Sequence, residues 1–182
     1  MQGKSLTPRP QFGLTLVETC CTLSIVALVA GTTIPSFDHM QTIRRVEGAA
    51  AEVAIDLHWI RTEAVARREG VRLSLYDGGS GTCAIVHTGH VAECSCATDG
   101  AAVCAGSSTL LKNTYFPAAG RVRIAANVAS MRFDAINGTT TPAGTVRLSD
   151  VGGTLALNQV VNILGRVRTC APAAAMPGVK AC

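Results

Sequence analysis

The sequence has few aromatic residues and none of the short motifs that mark common enzymes. Phe, Trp and Tyr make up 4% of the 182 residues, so a folded core must consist mainly of Ala, Val, Leu and Ile. No Gly-x-Ser-x-Gly segment accompanies the histidines, no glycine-rich phosphate loop ends in lysine, and Asp134 and Asp150 lack a companion carboxylate. We therefore predict no catalytic residues and no cofactor.

Cys-x-x-Cys pairs, which are typical of zinc sites, are also absent. His87-x-x-His90 lies between Cys83 and the Cys94-x-Cys96 segment, and thiolate and imidazole ligands at short spacing can hold zinc. In an exported domain, however, such cysteines are expected to form disulfides. We therefore predict disulfides here and no metal site.

Charge is nearly absent from one long stretch near the N-terminus. Residues 14–34 are 21 residues with one charge, Glu18, and a helix of this length reaches about 31 Å, the thickness of a bilayer core. The preceding 13 residues carry Lys4 and Arg9 but no acid, a pattern that keeps the N-terminus in the cytoplasm. This predicts one transmembrane helix with the remaining chain outside the cytoplasm. A signal peptide fits less well, because its apolar region is shorter.

The segment Gly13-Leu-Thr-Leu-Val-Glu18 resembles the processing site of type IV pilins and type II secretion pseudopilins. The resemblance implies that 1–13 is a prepilin leader, that a prepilin peptidase cuts between Gly13 and Leu14, and that Leu14 is then N-methylated. It also implies that Glu18 acts in filament assembly by pairing with the N-terminal amine of a neighbouring subunit. Leu14 departs from the usual Phe or Met, and Pro35 falls where pilin helices commonly kink.

Helical periodicity continues after the proline. Apolar residues recur at spacings of three and four along one stripe, which predicts an amphipathic continuation over 35–69 that packs on a folded domain and ends at Gly70. The stripe consists of Ala50, Val53, Ala54, Leu57, Ile60, Ala64 and Val65. We expect one helix from about Leu14 to about Glu69, bent near Pro35.

Alternation with period two replaces the helical pattern from residue 71 onward, so residues 70–182 are predicted to form a β-rich domain. The expected strands are 71–76, 83–87, 121–125, 130–134, 145–149, 155–164 and 167–170, with a disulfide-stapled loop over 92–108. A long helix followed by short antiparallel strands predicts an α+β fold with the helix packed on the sheet. The resemblance to pilins implies the same architecture.

Six cysteines lie in this predicted extracytoplasmic domain, which favours three disulfides. They are Cys83, Cys94, Cys96, Cys104, Cys170 and Cys182. We expect Cys170 to pair with Cys182 and the other four to form two bridges among themselves. Cys20 and Cys21 lie in the apolar stretch and are interpreted as small apolar residues.

Positive charge is concentrated in the C-terminal part of the chain. Residues 38–104 contain six basic and nine acidic residues, whereas 105–182 contain eight basic and two acidic residues, a balance of +6. Such an asymmetry indicates an anionic partner. The alternative is a solvated surface that uses arginine.

Gly165-Arg166-Val167-Arg168 resembles a C-terminal signature of the FimT branch of the GspH/FimT pseudopilins, minor pilins implicated in DNA binding. In a strand the two arginines would lie on one face about 7 Å apart, close to the spacing of neighbouring phosphates. The resemblance implies DNA binding by Gly165, Arg166 and Arg168. The same tetrapeptide occurs as Gly120-Arg121-Val122-Arg123, and we interpret this second copy as structural unless a basic groove joins the two. With such a groove, additional contacts are predicted for Lys112, Arg121, Arg123 and Arg147. The alternative is an edge strand whose arginines discourage aggregation.

Two functions are therefore predicted, neither of them enzymatic. The first is a minor type IV pilin that binds DNA non-specifically for natural transformation. The second is a pseudopilin of a type II secretion system with a structural role. Either protein would enter the bacterial inner membrane with a periplasmic C-terminal domain and then join other pilins in a filament.

Overall fold

A long N-terminal helix begins the fold. The computed structural model describes Gly13 and residues 15–78, 80–172 and 176–182, and its helix α1 spans Leu16–Arg67. Thr15 caps the helix start, because its hydroxyl oxygen accepts the backbone N–H of Glu18 at 3.3 Å. Thr15 and Glu18 stand in the spacing of a capping box, and the Glu18 carboxylate lies in the first turn, where the helix dipole favours an acid.

The helix ends before the glycine that the sequence pattern indicated. Arg68 takes a left-handed conformation with φ 54°, the N–H of Arg68 bonds to the carbonyl of Val65, and the N–H of Glu69 bonds to that of Ala64. This pair of bonds is a Schellman motif. The prediction that Gly70 ends the helix is therefore wrong, since Arg68 supplies the left-handed residue.

Eleven strands follow in the described part of the chain, with a short 3-10 helix, Val91–Glu93, between the second and the third. The strands are β1 Val71–Gly78, β2 Gly81–Thr88, β3 Cys94–Cys96, β4 Ala102–Cys104, β5 Leu110–Pro117, β6 Val122–Ala126, β7 Ser130–Phe133, β8 Thr140–Thr141, β9 Gly144–Asp150, β10 Ala156–Val161 and β11 Val167–Cys170.

The strands form three antiparallel sheets rather than one. The large sheet has five strands in the order β5-β2-β1-β7-β8, the arginine-bearing sheet has four in the order β11-β10-β9-β6, and β3 pairs with β4 as a small hairpin. The predicted α+β fold, with a helix packed on antiparallel strands, is confirmed.

One apolar core joins the helix to both larger sheets. Helix residues such as Leu57 and Ile60 share this core with Leu73 of the large sheet and Leu148 of the arginine-bearing sheet, and all four are buried. Gln159 is also buried, and its amide nitrogen donates to the carbonyl of Ala50 at 2.9 Å. Most of the predicted apolar stripe of the helix therefore faces the sheets, but Val65, its last residue, is exposed.

Strand β5 was not predicted, and its register explains why. The pairing of β2 with β5 shifts between Val86 and His87, so that Lys112 lies opposite Val86 while Leu110 lies opposite His87. Leu111 is the extra residue of this bulge, which interrupts the alternation of apolar and polar residues. Lys112 also places a charge on the face that packs against the helix.

Three disulfides join the six cysteines of the domain, so the disulfide prediction is confirmed. Cys83 pairs with Cys96, Cys94 with Cys104, and Cys170 with Cys182. The segment 92–108, predicted as a loop, contains the β3–β4 hairpin, which Cys94–Cys104 bridges. Within the described residues no group of His, Cys, Asp and Glu side chains is arranged to hold a metal ion.

The chain divides into two compact units, Met1–Met40 and Gln41–Cys182. The first unit exposes many apolar side chains of α1 in its described part. They include Leu16, Val17, Leu23, Ile25, Val26, Leu28 and Val29. The membrane span predicted for 14–34 is not confirmed, because no helical stretch in the described part of the chain is long and apolar enough to cross a bilayer.

Candidate nucleic-acid interface

The two Gly-Arg-Val-Arg segments lead into the two edge strands of the arginine-bearing sheet. Gly120–Arg123 leads into β6 and Gly165–Arg168 leads into β11. Arg166 is the residue before β11 and Arg168 the second residue within it. Both arginines are exposed and the valine between them is half-buried, so both side chains lie on the solvent side of the sheet.

Strand register adds a third arginine to this side. Arg147 lies opposite Asn158 on β10, and Asn158 lies opposite Cys170, which is two residues beyond Arg168 on β11. Residues directly opposite one another, and residues two apart on a strand, share a face. Arg147 is therefore on the same face as Arg168, and it is exposed.

A fourth arginine completes the set at the other edge. Arg123 on β6 lies opposite Ser149, which is two residues after Arg147 on β9. Ideal sheet dimensions put the Cα atom of Arg147 about 8 Å from that of Arg123 and about 12 Å from that of Arg168. We call Arg123, Arg147, Arg166 and Arg168 the arginine face, and they follow a diagonal across the sheet.

The arginine face is not neutralised by neighbouring acids. None of the ion pairs within 4.0 Å in the described chain involves one of its four arginines or the exposed Arg121. A cavity of about 380 Å³ next to it is lined by Arg123, Arg147 and Phe116, together with the acidic Asp77. The two Gly-Arg-Val-Arg segments are thus connected by a basic surface through Arg147.

Gly165 has a structural role that the sequence pattern did not indicate. It is buried, has φ 70°, and donates its N–H to the carbonyl of Asn162 at 2.9 Å. A Cβ atom here would collide with the carbonyl oxygen of Gly138 and lie 3.3 Å from Arg61 side-chain atoms. Gly165 therefore permits a tight turn and close internal packing, rather than the approach of a ligand to the backbone.

Asn162 positions this turn, and sequence reasoning missed it. Its side-chain oxygen accepts the backbone N–H groups of Leu164 and Arg166, each at 3.0 Å. Asparagine side chains commonly hydrogen-bond to the backbone two residues ahead. The asparagine at position 162 is therefore a local signal for a turn before β11. The turn fixes the path by which the chain leaves β10 and reaches β11 through Arg166.

Lys112 does not join the arginine face. It lies on β5 of the large sheet, where its Nζ contacts both oxygens of Asp56 at 2.7 Å and Glu52 at 3.6 Å. Burial lowers the pKa of Lys112, but the two carboxylates outweigh this and the pKa is raised. Asp56 thus links α1 to the large sheet.

The processing and assembly residues lie at the start of the described chain. Gly13 is exposed, and a Cβ atom added to it would meet nothing within 4 Å. Leu14 and the leader residues 1–12 lie outside the described residues. Glu18 is exposed in the first turn of α1, where its carboxylate is accessible to another chain.

Comparison with known protein families assigns the chain to one of them. A family model described as type II transport protein GspH matches residues 49–165, well over half of the sequence. The chain belongs to this family. The matched region extends from the amphipathic part of α1 to the glycine that precedes Arg166. The predicted resemblance to GspH/FimT-like type IV pilins is thereby confirmed.

A solved pilin has a similar fold. The type IV minor pilin FimU of Pseudomonas aeruginosa strain PAO1 superposes with a TM-score of 0.55 at 18% sequence identity, over 72% of this chain and 96% of the FimU chain. At this identity the likeness concerns the fold alone. No curated protein matches this GspH-family chain in sequence.

Proposed function

We propose that this GspH-family pilin is a minor subunit of a type IV pilus that binds duplex DNA through its arginine face during natural transformation. The observation that carries the proposal is the diagonal of Arg123, Arg147 and Arg168 on one exposed sheet face without an ion-paired acid. Guanidinium groups donate paired hydrogen bonds to phosphate and remain charged at physiological pH.

The geometry favours contacts with phosphates along a duplex. The arginine face extends about 20 Å along its diagonal by ideal sheet spacings, which allows several phosphates to be contacted at once. Aromatic residues that could stack on bases are scarce beside it, since Phe116 is the one aromatic residue among the described residues that line the adjacent cavity. Binding is therefore expected to be independent of DNA sequence and strongly dependent on salt.

Incorporation into a filament would use the N-terminal residues. We propose that prepilin peptidase cuts between Gly13 and Leu14, that Leu14 is N-methylated, and that Glu18 pairs with the amine of a neighbouring Leu14. The exposed position of Glu18 and the apolar surface of the first helical turns support this proposal. Insertion into the inner membrane before assembly stays a prediction from the sequence.

DNA binding can be tested by fluorescence anisotropy with a labelled duplex at several salt concentrations. Arg166→Gln combined with Arg168→Gln should weaken binding at low salt by about a hundredfold or more, because two charge-assisted contacts of about 1.5–3 kcal/mol each are lost. The slope of log affinity against log salt should fall by about 0.9 for each phosphate that the variant no longer neutralises. Arg147→Gln should also lower the affinity for DNA and the slope of log affinity against log salt.

A matched control removes two positive charges from elsewhere on the surface. Arg45→Gln with Lys180→Gln changes the net charge equally, and both residues are exposed and lie outside the arginine face. This control should bind DNA nearly as well as the wild type. An equal fall of affinity in both double variants would mean that net charge, rather than the arginine face, attracts DNA.

A second candidate function is a pseudopilin of a type II secretion system. It is favoured by the description of the matching family as a type II transport protein. In that case the arginines would protect the two sheet edges or contact neighbouring subunits. Deletion of the gene should then stop secretion and leave transformation intact, whereas the proposed DNA-binding pilin requires the reverse.

A further inference from the structure

Two arginines face one another on the large sheet, away from the arginine face. Arg72 on β1 lies directly opposite Arg132 on β7, and like charges in this arrangement repel. Neither arginine takes part in any of the ion pairs within 4.0 Å in the part of the chain that is described. Neither guanidinium group is therefore ion-paired within the described protein, although Arg132 is close enough to Asp134 to help lower the pKa of that carboxyl.

A chain of hydrogen bonds holds Arg72 in position. Its Nη1 donates to the hydroxyl of Ser130 at 3.0 Å, and the hydroxyls of Ser130 and Ser74 are 3.2 Å apart. Ser74 is 2.9 Å from Nε2 of His87, whose Nδ1 lies 2.8 Å from the carbonyl of Thr88. Since a carbonyl only accepts, Nδ1 carries the hydrogen and Nε2 accepts from Ser74.

One hydrogen-bond donor of Arg72, the Nε–H group, is enclosed by the fold and has no partner among the described residues. Its Nε is buried and makes no hydrogen bond within the described protein. Burial lowers the pKa of Arg72, and the positive charge of Arg132 lowers it further. Because Nε is enclosed by the fold, an acceptor supplied from outside would contact the outer nitrogens of the two guanidinium groups.

A glycine makes room for the second arginine. The guanidinium of Arg132 lies over Gly70, where a Cβ atom would come within 2.8 Å of three of its atoms. Both arginines line a cavity of about 410 Å³ together with Glu69, Gly70, Gly89 and His90. Nδ1 of His90 accepts the backbone N–H of Ala92, which leaves Nε2 of the same ring free to act as a donor.

We propose that Arg72 and Arg132 form a binding site for one carboxylate group, supplied in a filament by an Asp or Glu side chain of a neighbouring subunit. The charge of the cavity favours a carboxylate over phosphate, because two guanidinium groups and Glu69 leave one net positive charge. A carboxylate accepts two parallel N–H bonds from a guanidinium, and the exposed side chain of Arg132 offers such a pair of donors. The site is independent of the proposed DNA binding.

The test follows the Nε–Hε NMR signal of Arg72 in the purified full chain, kept in detergent because its N-terminal helix exposes apolar side chains. The probe is N-acetylglutamate amide, which carries a single side-chain carboxylate. We expect a saturable shift of this signal. Phosphate should produce a shift that saturates at least about fivefold more weakly, and sodium chloride only a linear drift.

Variants separate the site from general electrostatics. Arg132→Gln should weaken the carboxylate affinity about tenfold or more, and Lys180→Gln, which removes the same charge elsewhere, should leave it unchanged. Gly70→Ala removes no charge but displaces the guanidinium of Arg132, so it should also weaken binding. If Arg132→Gln fails to fold, the comparison of Gly70→Ala with Lys180→Gln decides.

Two results would overturn the proposal. A shift that never saturates with the carboxylate probe would exclude a site at Arg72. Saturation by phosphate that is equal to or tighter than saturation by the carboxylate would exclude the proposed ligand class and indicate a phosphate site.

Discussion

Burial of a single histidine makes the stability of the domain depend on pH. His87 is fully buried and bonds to Ser74 and Thr88 through its two ring nitrogens. Burial lowers its pKa, and although the bond to Thr88 opposes this, the nearby charge of Arg72 acts in the same direction as burial. The neutral ring is therefore the form that the fold stabilises, since a protonated ring would be a buried positive charge near Arg72.

His87→Gln should remove a pH-dependent part of the free energy of unfolding. A depressed folded pKa contributes stability that is present above the unfolded value of about 6.5 and lost as pH falls through the folded value. Urea unfolding of the wild type should thus show a fall in the free energy of unfolding from pH 8 to pH 5, and His87→Gln should lack this fall. The control is His58→Gln, at an exposed helix position, which should retain the pH-dependent fall in stability. Loss of the fall in this control would argue against His87 as its source.

Strand β11 is held in place by the segment that follows it. Ala171 donates its N–H to the carbonyl of Lys180 and accepts the N–H of Cys182, and the Cys170–Cys182 disulfide closes this segment. Cys170 is two residues beyond Arg168 on the same strand. The C-terminal segment therefore supports the edge strand that carries Arg168 and that Arg166 directly precedes.

Replacement of Cys170 and Cys182 by alanine should lower the free energy of unfolding by about 3 kcal/mol, because the bridge closes a short loop of the unfolded chain. Amide hydrogen exchange should increase in β11 more than in β9. Cys20→Ala with Cys21→Ala is the matched control, since both are exposed free thiols. An equal loss of stability in this control would contradict a role of the C-terminal bridge.

Across the whole molecule, exposed apolar surface is concentrated in the N-terminal helical unit. Leu16, Leu23 and Leu28 each expose more than two thirds of their surface, at 79%, 69% and 73%. Large exposed apolar surfaces mark interaction sites, and pilins of this family assemble with other pilins. The helix surface is therefore expected to be covered by neighbouring helices in a filament.

Glu18→Ala and Glu18→Gln should both prevent assembly into filaments while leaving the Gln41–Cys182 unit folded. In the proposed filament the Glu18 carboxylate would be buried and would require a positive partner, and neither replacement can pair with an N-terminal amine. Filament recovery by shearing and electron microscopy measures assembly, and circular dichroism checks the fold. The control is Thr22→Ala, which loses only a hydroxyl bonded to the carbonyl of Thr19 and should assemble normally. Normal assembly of Glu18→Gln would refute the proposed pairing of Glu18 with an N-terminal amine.

Much of the fold follows from local patterns. The apolar stripe of α1 and the alternation in β9 are visible in the sequence because these elements have one buried and one more exposed face. Strand β5 was missed because its bulge at Leu111 and the ion pair of Lys112 interrupt that alternation. The helix end was missed because Arg68, rather than a glycine, takes the left-handed conformation.

The sequence by itself determined the class of protein. The segment Gly13–Glu18, the long helix and the β-rich half with six cysteines are local features, and each carries its signal within a few consecutive residues. Only the tertiary structure decided which charges act together. Arg123, Arg147 and Arg168 share one face, Lys112 is engaged by Asp56, and Arg72 meets Arg132, because strand order and register bring together residues that are far apart in the chain.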